Sequence, residues 1–140
     1  MSDGTELDDD DETGGGIIRQ KLADEIVSAA RAATSDTLRS ITYFTRANYQ
    51  QLYLREDLER DADLDEFVGH EWRDFKETQN AYQTTELGPY HFTVRVFENG
   101  YLLRITTERQ GVIITTDGLT MREYEEVAEV IERLLQEESS

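Results

Sequence analysis

Apolar and polar positions alternate most regularly late in the chain, over residues 90–97 and again over 101–107. Between the two runs stand Glu98, Asn99 and Gly100. Asn followed by Gly between alternating runs predicts a hairpin, because both central residues of a type I′ turn need positive φ. With Asn99 and Gly100 as the turn, Val96 stands opposite Leu103, Val94 opposite Ile105 and Phe92 opposite Thr107, all on one face. The other face then pairs Phe97 with Leu102, Arg95 with Arg104 and Thr93 with Thr106. A third strand, residues 112–116, follows Gly111. A two-residue turn at Arg109 and Gln110 puts Ile114 on the core face, whereas a bulged loop using Gly111 reverses it.

Helical spacing marks the rest. Ile18, Leu22, Ile26, Ala29, Ala30 and Ala33 form one stripe and predict a helix over residues 17–33. Residues 38–44 alternate and read as a strand. Thr45 is placed to cap a second helix, with Tyr49, Leu52 and Tyr53 as its apolar face, ending near residue 60. Asp63 and Glu66 have capping-box spacing and open a third helix, whose stripe runs through Phe67 or Val68, Trp72, Phe75, Gln79 and Tyr82. Thr120 and Glu123 repeat that box before Tyr124, Val127, Ala128, Ile131, Leu134 and Leu135. Leu119 is placed to staple against Tyr124. The expected fold is α+β: a three-stranded antiparallel meander plus one further strand, covered by helices, in the order α-β-α-α-β-β-β-α.

Charge changes this picture in one respect. The chain carries 31 acids against 14 bases, a formal net charge of −17. Seven of the acids precede Gly16, so the remainder still carries −10. Residues 1–16 contain no apolar face and are expected to form a disordered acidic tail, with residues 17–140 as a single domain. Acid excess spread over the helices suits concentrated salt, where self-repulsion is screened, and points to a halophilic cytoplasm. No apolar run approaches the roughly 20 residues that cross a bilayer, and the N-terminus has no basic, apolar leader. The expected setting is therefore cytoplasmic, without a membrane.

Candidate chemistry is sparse. Cysteine is absent and only His70 and His91 offer imidazole, which excludes thiol nucleophiles and argues against a metal site. Asp61, Asp63 and Asp65 begin like a calcium loop, but Glu66 replaces the sixth-position glycine and Trp72 the final glutamate. His70 and Glu71 begin like a zinc-protease helix, but Asp74 stands where the second histidine belongs. The pattern predicts no catalytic residue, cofactor or metal.

One pair stands out. Arg95 and Arg104, facing each other across two strands, repel unless something anionic lies over them. With Thr93 and Thr106 they form a candidate contact for an anion or an acidic partner segment. The structural alternative is that glutamates of a packed helix neutralise them. The element order also allows a winged-helix DNA-binding regulator, with residues 65–83 as recognition helix and Asn99 and Gly100 at the wing tip. Asp65, Glu66, Glu71, Asp74 and Glu77 on that helix make a poor phosphate-binding surface, so nucleic acid is the minority reading.

Residues 41–46, 53–55, 96–104 and 115–120 resemble a group of small acidic, uncharacterised proteins from halophilic archaea. That resemblance implies a cytoplasmic halophile and brings no active site. The alternation of helices with a three-strand meander is also similar to roadblock or profilin-type regulatory modules. The resulting expectation is a non-enzymatic protein-interaction or regulatory module, with a protein partner and self-association through a sheet edge or helix.

Overall fold

A computed structural model of the chain describes residues 17–58 and 64–139. The expected acidic tail, residues 1–16, and the Asp63 cap lie outside the described residues. Among these residues three α-helices and five strands follow in the order α1 (Gln20–Thr34), β1 (Leu38–Thr45), β2 (Tyr49–Leu54), α2 (Leu64–Tyr82), β3 (Phe92–Phe97), β4 (Gly100–Thr106), β5 (Gln110–Thr116) and α3 (Met121–Ser139). The strands form one antiparallel sheet in the order β2-β1-β5-β4-β3. Helices α1 and α3 cover one face through Leu22, Ile26, Ala30, Tyr124, Val127, Ile131 and Leu135, packed on Ile41, Leu103, Ile105, Val112 and Ile114. Helix α2 covers part of the other face, where Leu64 and Val68 meet Phe44, Leu102 and Ile113.

This corrects the expected fold. The sheet has five strands rather than a three-stranded meander with one addition, and the order is α-β-β-α-β-β-β-α. The error lies at β2, where Tyr49, Leu52 and Tyr53 are spaced as on a helix. Ile41 pairs with Tyr53 but Thr42 with Gln51, so Leu52 is an extra, bulged residue. The bulge turns Leu52 and Tyr53 to the same core, while Tyr49 packs against the opposite one. A bulge breaks period-2 alternation and here imitates the i, i+3, i+4 pattern. Thr45 does cap, but it caps a turn. Its hydroxyl accepts the Asn48 backbone N–H at 3.2 Å, and its own backbone N–H donates to the Asn48 carbonyl at 2.8 Å. The winged-helix map fails with the same element, since it needs a helix where β2 stands.

The hairpin registers also differ from expectation. Phe97 pairs with Gly100, so Glu98 and Asn99 fill the turn, and Arg95 faces Leu102 while Thr93 faces Arg104. A shift of two residues leaves every side chain on its own face, so alternation cannot choose between the registers. Gly100 serves close approach rather than positive φ: a Cβ there would stand 2.9 Å from the Thr116 carbonyl oxygen. The β4–β5 turn is filled by Glu108 and Arg109, and Ile114 faces Leu103 on the α1/α3 side. At α3 the expected capping box is present, with the Glu123 backbone N–H to the Thr120 hydroxyl at 3.1 Å and the Thr120 N–H to the Glu123 carboxylate at 2.8 Å.

Candidate functional site

The buried stripe of α2 is Leu64, Val68, Glu71 and Phe75. Its spacing of four, three and four residues is that of a core-facing helix, and Glu71 takes an apolar position within it. Strand β4 repeats the anomaly, with Arg104 fully buried among Leu102, Leu103 and Ile105. A charge is stable in such a place only when paired and hydrogen-bonded. The two elements meet at these two residues.

Arg104 Nη1 donates to the Glu71 carboxylate and to the Glu71 backbone carbonyl, both at 2.9 Å, and lies 2.8 Å from Asp74 Oδ2. Its Nη2 donates to the hydroxyls of Tyr90 and Thr93, each at 2.8 Å. Arg95 forks onto the same acids, with Nε 2.9 Å from Glu71 Oε2 and Nη2 3.0 Å from Asp74 Oδ2. Two arginines and two carboxylates therefore balance. Burial, the largest single influence on Asp74, acts to raise its pKa, but the Arg104 hydrogen bond and the two guanidinium charges outweigh it and hold it below the usual carboxylate range. The Glu71 carboxylate raises the pKa of Arg95 further, against the opposing effect of burial. Among the described residues Arg104 Nε has no partner.

The four candidate residues are thus placed unequally. Arg104 and Thr93 are bonded inside the cluster. Arg95 joins it from the sheet edge with 29% of its side chain exposed. Thr106 lies one further step along the same face of β4, buried, with no hydrogen-bond partner for its hydroxyl among the described residues. Reading the sequence alone missed Glu71 as the centre of the cluster. The available signal was a charged residue in the middle of each of two otherwise apolar patterns.

Two other features are exposed. Among the described residues strand β3 pairs only with β4, and its outer end presents Val96 and Phe97 at 72% and 53% exposure. At the same end of the strands, just after β5, Asp117 accepts from Arg39 Nη1 at 2.9 Å and Arg55 Nη1 at 2.7 Å. The Arg55 bond is the main cause of the lowered Asp117 pKa. His70 and His91 lie apart, on α2 and just before β3, and His91 Nδ1 is 3.5 Å from Glu132. Among the described residues no three His, Cys, Asp or Glu side chains are grouped to hold a metal, and no helix is long and apolar enough to cross a membrane.

The family model for a domain of unknown function, DUF7522, matches residues 24–136, from α1 to the last turns of α3. The chain belongs to the DUF7522 family. No curated protein matches its sequence. Among solved structures, the DUF7522 fold is similar to the gliding protein MglB from Thermus thermophilus, with a TM-score of 0.64 and 14% identity, covering 88% of this chain and 97% of that one. A second MglB, described with a tetrameric arrangement, gives a TM-score of 0.62 at 13% identity over 88% and 96% of the two chains. At such identities the likeness is one of fold: this DUF7522 chain has an MglB-like α+β architecture.

Proposed function

We propose that this domain is a non-enzymatic protein-interaction or regulatory module that works in the cytoplasm of a halophile and self-associates through the outer edge of β3. The observation that carries the reading is the edge itself. Unpaired backbone groups next to exposed Val96 and Phe97 form a template for a further strand. Arg95, on the same strand and partly exposed, is the member of the arginine pair that an added strand reaches. One of the similar MglB structures has a tetrameric arrangement, which agrees with a fold that assembles. The acidic neighbours Glu125, Glu126, Glu129 and Glu132 of α3 repel a second copy, so association should strengthen as salt screens them.

Sedimentation of the full chain across a KCl series tests this. The expected result is an oligomer that grows with salt and is lost in Val96→Lys while circular dichroism is unchanged. A monomer at every salt concentration, or an oligomer that survives Val96→Lys, overturns the self-association reading.

A further inference from the structure

Among the described residues, helix α2 leaves part of its sheet face uncovered. The space between its first turns, the β3–β4 hairpin and strands β1, β2 and β5 is an open recess of about 590 Å³, within the range of small-molecule sites. Its walls are largely apolar, built by Leu54, Phe67, Phe97, Leu102 and Ile113. Its polar groups stand on the strands and, with Glu98 and Asn99, at the β3–β4 turn. The Ser40 and Thr115 hydroxyls bond each other. Thr42 is 2% exposed and lines the recess. A hydroxyl on the lining of a recess can donate to or accept from something that enters.

Arg39 supplies a charge on the same wall. Leu38 pairs with Thr116 and Ser40 with Thr115, so Arg39 is the extra residue of a second bulge. Such bulges re-aim a side chain. Its side chain runs past Gly100, where a Cβ would lie in ordinary contact, 3.5 Å from Arg39 Cδ and 3.6 Å from Nε. Asp117 takes Nη1 alone, which leaves Nε and Nη2 without a partner among the described residues. Glu98 is the carboxylate on the lining and is exposed at the hairpin tip, where water and salt screen it.

From this juxtaposition we infer that the recess is a binding site for a small amphipathic organic acid. Its apolar body lies between Phe67, Phe97 and Ile113, and its anionic oxygens meet Arg39 and the Thr42 hydroxyl. The inference does not rest on self-association, and either can fail alone.

The test uses the full chain in molar KCl with 8-anilinonaphthalene-1-sulfonate, an aromatic body carrying one sulfonate. Decanoate and decanol serve as competitors. The expected result is saturable binding of one dye per chain, displaced by decanoate far better than by decanol. Arg39→Met should weaken binding about tenfold, the equivalent of one charge-assisted hydrogen bond, with unchanged thermal unfolding by circular dichroism. Thr42→Val, which keeps the shape, should weaken it roughly threefold and serves as the reading if Arg39→Met does not fold. Absence of saturable binding, equal competition by decanol, or wild-type affinity in folded Arg39→Met or Thr42→Val would each overturn the assignment.

Discussion

Arg104 grips Glu71 twice, once at the carboxylate and once at the backbone carbonyl, both at 2.9 Å from the same Nη1. One guanidinium on the sheet thus fixes both the side chain and the axial position of α2. Apolar packing beneath that helix joins Leu64 and Val68 to Phe44, Leu102 and Ile113, with Phe67 and Trp72 against them and Phe75 buried further along. The charge cluster adds a second, polar attachment to that docking.

Arg104→Met keeps volume but leaves two carboxylates short of a donor in a buried place. Stability should fall by about 3–5 kcal/mol, the cost of breaking a buried pair from one side. Trp72, the sole tryptophan, packs against Phe44 and Phe75 from α2. Its fluorescence should respond at lower denaturant than far-ultraviolet circular dichroism does, because α2 detaches first. Coincident transitions at the wild-type midpoint would show that the cluster contributes little.

The lowered pKa of Asp74 sets a pH dependence. An unfolded aspartate titrates near about 3.9, so the stability contributed by Asp74 is complete above that value. It is lost as pH falls through the lower folded-state pKa. Asp74→Asn should be less stable by about 1–3 kcal/mol at neutral pH. Its difference from the wild type should stay constant down to about pH 4 and shrink below it. A difference that persists undiminished in stronger acid would exclude this linkage.

Gly111 of β5 lies opposite Phe44 of β1, and a Cβ at that position would stand 2.4 Å from Phe44 Cζ and 2.7 Å from Cε1. Phe44 is fully buried, so the ring can yield only by displacing core neighbours. Gly111→Ala should cost about 1–3 kcal/mol through overpacking. Phe44→Leu in the same chain should return part of that loss, which denaturant melts of the single and double variants would measure. Additive losses would show that the ring and the added methyl do not collide.

The net charge of −17 predicts a salt dependence. Screening weakens repulsion among the excess acids, so the thermal midpoint should rise steadily from dilute buffer to molar KCl. An equal midpoint at both ends of the series would remove the argument for a high-salt habitat.

The sequence by itself determined which segments could be buried and in what period. The stripes of α1 and α3, the Thr120–Glu123 capping box and the alternation of β3, β4 and β5 are all local patterns, and each is present. Tertiary structure decided what those patterns leave degenerate. Leu52 is bulged only because β2 pairs with β1, and that pairing, not residue spacing, makes Tyr49–Leu54 a strand. The β3–β4 register moved by two residues, a shift invisible to alternation, and so separated Arg95 from its expected place opposite Arg104. Glu71 reads as one more surface acid until α2 lies across β4. Only then does an apolar position on a helix acquire a charge and a strand arginine to balance it, because pairing of buried charges is a property of the packed interface and not of either segment.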